Sequence, residues 1–447
     1  MGPAHVITEA ASLVEYGHDA LQIGHPADLV LRPANAAEIS SIARLCDGDG
    51  VPLVVRGAGS GYTGGAVPLR GGVVLSMERL NRILTIDIEN LLAVVQPNVI
   101  TGDLQDAVEQ RGLFYPPDPA SLRQSSLGGN VAENAGGPRA VKYGTTKRYV
   151  LALEAVLPTG EVIRTGSKAV KNVVGYDLTQ LLVGSEGTLA IITEITLRLV
   201  PKPSVQSVMQ ATFVEITTAV DAVTALLADR VLPSTIELID RLSLTAVAQR
   251  LKRPVAPENT GAMLIIEVDG VAAGVDEECS RVADACRRAG ALTVRRAGTD
   301  AEQDAIWEAR RELSFALRAL APRKINHDVV VPRGRVPQLF ELVERLRQDS
   351  GLMIPCFGHA GDGNIHVNVM CDPADPDQLR RAKTAERALF EGVVALEGSI
   401  SGEHGIGFSK APYLGIELSA DVIALMQRIK HAFDPHGILN PGKIWEH

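Results

Sequence analysis

The chain lacks paired cysteine spacing: Cys46, Cys279, Cys286, Cys356 and Cys371 are its five cysteines, and none stands in a C-x-x-C pattern. This excludes a zinc ribbon or iron–sulfur site and argues against a disulfide frame, so the five read as small buried thiols. Also missing is an uninterrupted apolar run of about 18 residues, the length a membrane helix requires. The opening Met1-Gly-Pro-Ala-His-Val6 has no basic region ahead of an apolar stretch, so no secretory signal is read. A cytoplasmic protein is expected, or one peripheral at the inner face of a membrane. Runs of one charge are absent too, because the formal net charge of -9 arises from interspersed Lys, Arg, Asp and Glu. That is not the electrostatic footprint of a nucleic-acid binder.

What is present is ample core material: 447 residues with 46% hydrophobic content, too many for one compact core. The pattern is helical from Ala36 to Asp47, and a buried strand follows at Val51–Val55. Strand-like runs at Gly72–Ser76, Leu91–Gln96, Leu151–Leu157 and Leu189–Leu199, separated by glycine-rich loops and a few helices, predict an α+β domain over residues 1–203, with Pro201-Lys-Pro203 as its boundary. Beyond it, strands near Ala262–Val268, Leu292–Arg296, Ile325–Val331, Leu352–Phe357 and Ile365–Met370, with a helix from Ala301 to Leu320, predict a helix-covered antiparallel sheet over residues 204–419. A last helix, Asp421–Phe433, precedes "DPHGILNPGKIW", and residues 420–447 are expected to return to the first domain.

"RGAGSGYTGGAVPLRGG" contains G-x-G-x-x-G at Gly59, Gly61 and Gly64, but the segment leads into another strand, "GVVLSM", where a Rossmann turn would open a helix. No Gly-Lys-Ser/Thr follows, so a P-loop fails as well. What remains is a purely structural turn or a loop whose unblocked backbone N–H groups form a nest for phosphate oxygens. Two further dense stretches follow, "YPPDPASLRQSSLGGNVAENAGG" and "LLVGSEGTLAIIT".

A second constellation lies in "GHAGDGNIHVNV". Histidines seven apart on one strand face opposite sides, so His359 and His366 converge only if Ala360–Asn364 turns the chain between two strands. In "IHVNVM", His366, Asn368 and Met370 then share a face. "SGEHGIG" adds Glu403 and His404 in a glycine-flanked loop. Taken singly, each histidine fits an ordinary hydrogen-bonded residue; as a cluster, two histidines and a carboxylate suit zinc or a similar divalent metal. In the helical "IWEARRELSFALRAL", Arg310 and Ser314 lie one turn apart and can point into one pocket.

Together these segments resemble the FAD-linked vanillyl-alcohol oxidase and para-cresol methylhydroxylase superfamily, specifically its D-2-hydroxyacid dehydrogenase branch with D-lactate and D-2-hydroxyglutarate dehydrogenases and the glycolate oxidase D subunit. The resemblance spans nearly the whole chain. It implies a two-part FAD-binding domain, in which Gly57, Gly59, Ser60, Gly61 and Tyr62 cradle the pyrophosphate. It further implies that Pro117, Asp118, Ser126, Gly128, Gly129, Asn130, Ala132 and Gly136 hold the flavin and ribityl groups. Glu186, Gly187 and Ile191 would lie near the adenosine end, and Asn440 would close on the flavin. Relatives with covalent flavin often carry a histidine where this chain has Ser60, so noncovalent FAD is expected.

The same resemblance implies His359, His366 and Glu403 as metal ligands, His404 as base, Asn368 at the substrate, and Arg310, assisted by Ser314, on the substrate carboxylate. The spacing in "KINHDVVVP" differs from the family's, so Lys324 receives no role. The implied reaction is oxidation of a 2-hydroxyacid to the 2-oxoacid by hydride transfer to flavin N5. With no metal-cluster ligands of the chain's own, electrons would leave to a quinone, an electron-transfer flavoprotein or an iron–sulfur partner subunit; a homodimer is left open. Rival readings are a metal-dependent hydrolase, a non-redox flavoenzyme resembling alkyl-dihydroxyacetonephosphate synthase, and a noncatalytic electron-transfer subunit.

Overall fold

The computed structural model describes residues 1–21 and 23–445. Two compact units divide the chain: Met1–Gly136, Gly144–Lys202 and Glu403–His447 form the first, Gly137–Tyr143 and Pro203–Gly402 the second. The second unit therefore claims a short strap from within the first stretch, and the chain returns to the first unit at Glu403, ahead of residue 420.

The first unit holds two larger sheets and a two-stranded antiparallel pairing of Val200–Pro201 with Leu113–Phe114. In the four-stranded one, Leu53–Arg56 and Leu29–Leu31 flank Val73–Ser76 in parallel, and Val6–Ile7 adds an antiparallel edge. The five-stranded sheet is antiparallel throughout, in the order Ile83–Asp87, Leu92–Val95, Ile191–Arg198, Val150–Val156, Val162–Gly166. The carboxyl-terminal segment is stitched to Leu53: the Leu53 amide donates to Ile438 O at 2.8 Å and Leu53 O accepts from the Asn440 amide at 2.8 Å. Ile438 and Leu439 join Ile39, Leu53, Leu75, Val156 and Ile191 in one apolar cluster, so the return is fixed by burial as well as by hydrogen bonds.

The second unit is a seven-stranded antiparallel sheet in the order Thr293–Arg296, Val205–Phe213, Ala262–Gly270, Thr235–Asp240, Cys356–His359, Asn364–Cys371, Arg323–Val330. Strand alternation divides its faces. Ile365, Val367 and Val369 are fully buried or nearly so, and on the same side His327 meets Phe390 of the helix Pro376–Ala395, ring centroids 5.1 Å apart. The opposite face carries Ile239 and Phe357 against Leu244 and Val247 of the helix Arg241–Leu251 and Ile306, Leu313 and Leu317 of the helix Asp300–Leu317. That second helix is capped by Thr299, which accepts from the Glu302 amide at 3.3 Å, while Glu302 accepts from the Gly298 amide just ahead of the cap at 2.6 Å.

The strand expected from Leu352 begins only at Cys356, because the preceding stretch contains Pro355, which has no amide to give the ladder. Its hairpin partner starts at Asn364, and Ala360–Gly363 turns between them. Gly363 adopts φ +89°, and a Cβ there would stand 2.1 Å from Val331 O. Gly363→Ala is therefore expected to lower unfolding free energy by about 2 kcal/mol or more, read from denaturant melts; an unchanged midpoint would show that the turn is not constrained.

Candidate active site

In the second unit the polar row begins at Glu237. It is fully buried on the Thr235–Asp240 strand, and the antiparallel register sets it directly opposite His359. One carboxylate oxygen pairs with His359 Nδ1, the other accepts from Arg310 Nε. Burial alone would raise this carboxyl, yet the Arg310 guanidinium and the contact with His359 outweigh it and bring its pKa down to about 2. Arg310 reaches this place because it lies on the buried stripe of its helix, with Ile306, Ala309, Leu313 and Leu317 at helical spacing. Its guanidinium carbon lies 4.8 Å from the Phe357 ring centroid, within reach of a cation–π contact.

The two histidines do converge. His359 and His366 are 3% and 6% exposed, with ring centroids 5.3 Å apart and planes at 82°. Next in the row, Asn368 is fully buried and its Oδ1 accepts from Asn326 Nδ2 at 2.7 Å, while Nδ2 donates to Pro355 O at 3.2 Å. Lys324 continues the same face of its strand, and its Nζ donates to Ser314 Oγ at 2.7 Å. Burial, then the charge of Arg318, lowers the Lys324 ammonium from 10.5 to about 8. Asp328, in register opposite His366, accepts from the Gly402 amide at 2.9 Å and from Asn364 Nδ2 at 2.6 Å. Gly402 is thus tethered beside the histidine strand, and Glu403 is its next residue.

In the first unit, Gly57 lies so close to Ser126 that a Cβ would meet Ser126 Oγ at 2.3 Å. Ser126 caps the helix Leu127–Glu133, accepting from the Gly129 amide at 3.3 Å. Gly59 has φ +67°, and Arg56 packs beneath it, donating to His18 O at 2.7 Å. Gly61 faces almost open space, with only Asp19 Oδ2 near its missing Cβ, at 3.8 Å. Asp118 and Asn130 are buried, Asn130 donating to Thr101 Oγ1 at 2.7 Å; Pro117 O accepts from Gln105 Nε2 at 2.8 Å. Ile191 is fully buried in the apolar cluster, and Asn440 Nδ2 donates to Gly65 O at 3.0 Å and Glu186 O at 2.9 Å.

The loop bearing Glu403 and His404 is pinned within this unit. Glu186, at φ +52°, accepts from the Ile406 amide at 2.8 Å and the Gly407 amide at 2.6 Å, while Ala132 O accepts from the Glu186 amide at 2.8 Å. Gly187 follows at φ +65°. The His404 ring stacks on Tyr62, centroids 5.4 Å apart at 24°, and Thr63 Oγ1 donates to His404 O at 3.3 Å. Gly136 leaves room for Glu403, since a Cβ there would lie 2.8 Å from Glu403 Oε2. Beside the pinned loop, Glu133 Oε2 is sealed from solvent without a hydrogen-bond partner, and so is Asp19 Oδ2. Burial, then the charges of Glu186 and Asp19, pushes the Glu133 carboxyl well up; Lys443, buried nearby, opposes this. Glu186 holds two amides and Glu133 none, so the proton belongs to Glu133.

The FAD binding domain profile matches residues 27–166, and that of the FAD linked oxidases, C-terminal domain, matches residues 202–444. The chain belongs to the FAD-linked oxidases. It is 42% identical over 445 residues to "Glycolate oxidase subunit GlcD" of Bacillus subtilis (strain 168), covering 99% of this chain and 94% of that one. To the protein of the same name from Escherichia coli (strain K12) it is 39% identical, covering 93% and 83%, and to "D-lactate dehydrogenase" of Anaerostipes hadrus 32% identical, covering 99% and 95%. Substrate-bound p-cresol methylhydroxylase superposes at a TM-score of 0.83 with 19% identity, covering 100% of this chain and 95% of that one, which establishes the fold.

The first unit of this FAD-linked oxidase fits its cofactor. Gly57 and Gly59 bring the loop backbone close against Ser126 and Arg56, Arg56 supplies positive charge, and burial raises both the Asp19 and Glu133 carboxyls, which lessens the repulsion a pyrophosphate would meet. The donor set of the second unit suits a divalent cation: two buried imidazoles lie together, and Glu237 supports His359 at Nδ1. Glu237 escaped the sequence reading: it is the single acid between apolar neighbours in "TIELID", and 122 residues separate it from His359.

Glu186→Gln should cost about 1–3 kcal/mol, since it weakens two hydrogen bonds to a charged acceptor. Glu133→Gln has the opposite expectation: a carboxyl raised in the folded state draws stability down as pH rises above its ordinary 4.5. The variant's melting temperature relative to the native chain should therefore climb as pH rises above 4.5. A constant difference would place the proton elsewhere.

Proposed function

We propose that this FAD-linked oxidase converts a 2-hydroxyacid, D-configured or glycolate, to its 2-oxoacid, with noncovalent FAD and a divalent cation, zinc or similar. One observation carries this reading: two buried imidazoles and a guanidinium fork share one sheet face, joined through Glu237. That face offers a place for a cation beside a place for a carboxylate, the two features that define a 2-hydroxyacid. The names of the curated relatives, glycolate oxidase subunit and D-lactate dehydrogenase, agree with it.

Arg310 takes the substrate carboxylate with its two terminal nitrogens, which make no protein hydrogen bond among the described residues, and Ser314 and Lys324 extend the positive side of the pocket. Asn368 hydrogen-bonds the substrate and sets its rotation about the α-carbon. His359 and His366 hold the cation with Glu403, which the peptide chain carries directly on from the tethered Gly402. His404 takes the hydroxyl proton as base; as a residue outside the ligand set, it keeps a lone pair for that task. FAD, when bound, supplies the hydride acceptor at N5, and the cation, when bound, lowers the hydroxyl pKa. The contacts read for Gly57, Gly59, Ser60, Gly61, Tyr62 and the Pro117–Gly136 segment are those of its cradle. Electrons leave to a quinone, an electron-transfer flavoprotein or an iron–sulfur partner, an assignment the word "subunit" in the relatives' names favours. Among the described residues no helix is long and apolar enough to cross a membrane; a cytoplasmic or peripheral location is proposed.

The direct test is an anaerobic panel of D- and L-2-hydroxyacids mixed with FAD-loaded protein, following flavin bleaching. Bleaching by glycolate or D-acids supports the reading, and a colour that no 2-hydroxyacid removes overturns it. His404→Ala should retain FAD and lose bleaching. Arg310→Lys keeps the charge but loses the fork, and KM for the acid should rise about 30- to 100-fold. Lys324 gives a pH signature: it is charged below about 8 and neutral above, so KM should climb as pH passes that value. Lys324→Arg should move that limb upward.

A further inference from the structure

Beyond the residues that touch substrate or cation, the buried face holds one group whose chemistry is two-sided. A carboxylate accepts hydrogen bonds only, one set at each oxygen. Glu237 uses both oxygens on different partners, His359 Nδ1 and Arg310 Nε, and has no exposure to water. Each contact has a geometric consequence. Accepting at Nδ1 requires that this nitrogen carry the ring proton, so the lone pair of His359 lies at Nε2. Accepting from Nε leaves both terminal nitrogens of Arg310 without a hydrogen-bond partner among the described residues, and the guanidinium carbon lies 4.8 Å from the centroid of the Phe357 ring.

We propose that Glu237 is the positioning residue of the site: one buried carboxylate sets the tautomer of His359 for the cation and aims the Arg310 fork at the substrate carboxylate. This rests on the metal-assisted reading given above and adds to it that the cation site and the carboxylate site share a single support. An amide in the same place cannot serve both. Its oxygen can accept from Arg310, but its NH2 then faces Nδ1 and drives the ring to the Nε2–H tautomer, which blocks the ligand lone pair. Turned the other way, it satisfies His359 and leaves Arg310 Nε without an acceptor.

The experiment titrates chelator-treated, FAD-loaded protein with zinc, by calorimetry or against a chromophoric chelator, for the native chain and Glu237→Gln. Expected is a 10- to 100-fold weaker affinity in the variant, the size of effect seen when a metal-bound histidine loses its outer partner, with unchanged FAD content. A purely structural role would instead lower the melting temperature and leave affinity alone, and equal zinc affinity in the two proteins would overturn the proposal. Should the variant fail to fold, the native protein decides: nitrogen NMR of 15N-histidine-labelled chain, with His359→Gln for assignment, is expected to show the Nδ1–H tautomer of His359, and the Nε2–H tautomer would overturn it. Native protein that binds no zinc would sink the metal-assisted reading together with this one, whereas equal binding by native and variant chains would sink this one alone.

Discussion

The polar face of the second unit depends on an ion pair taken almost wholly out of water. Moving a carboxylate and a guanidinium into an interior costs several kcal/mol each unless geometry and hydrogen bonding return it, and Glu237 recovers that cost through Arg310 and His359 together. Replacing the three groups by apolar side chains would serve the fold at least as well. At the centre of a sheet face such a pair holds its histidine and arginine partners in set directions, which hydrophobic packing cannot specify.

The first unit manages charge by the reverse device. Here buried carboxyls are driven toward neutrality beneath a glycine loop, and the one acid that stays engaged, Glu186, spends its charge on two backbone amides of the loop carrying His404. The glycine loop and the loop carrying His404 are thus held by the same small group of residues. Strained backbone appears where such duties meet: Glu186 and Asn440 both sit at positive φ, and both make hydrogen bonds that a relaxed residue elsewhere would not.

Much of this was legible in the sequence because it was local. The histidine hairpin follows from period-two alternation and a Gly-Asp-Gly turn, the placing of Arg310 and Ser314 on one helix from helical periodicity, and the failed Rossmann match from the strand after the glycine loop. What could not be read was long-range. The strands Val205–Phe213 and Thr235–Asp240 carry near-continuous burial without alternation, so neither their register nor the partner of Glu237 had a local signal. Lys324 went unassigned because spacing along the chain was compared, whereas its place follows from its strand running antiparallel beside Asn364–Cys371. The strap Gly137–Tyr143 is the same kind of case: Lys142 and Tyr143 bind Asp269, a partner more than a hundred residues away.

The central claim is that hydride transfer from a 2-hydroxyacid in this protein needs a cation held by the histidine face. Rapid-mixing of chelator-stripped, FAD-loaded protein with a reactive 2-hydroxyacid, before and after addition of one equivalent of zinc or another divalent ion, tests it most directly. The account predicts slow or absent flavin reduction without the ion and restored single-turnover reduction with it. Equal rates in both, with metal content confirmed, would contradict it.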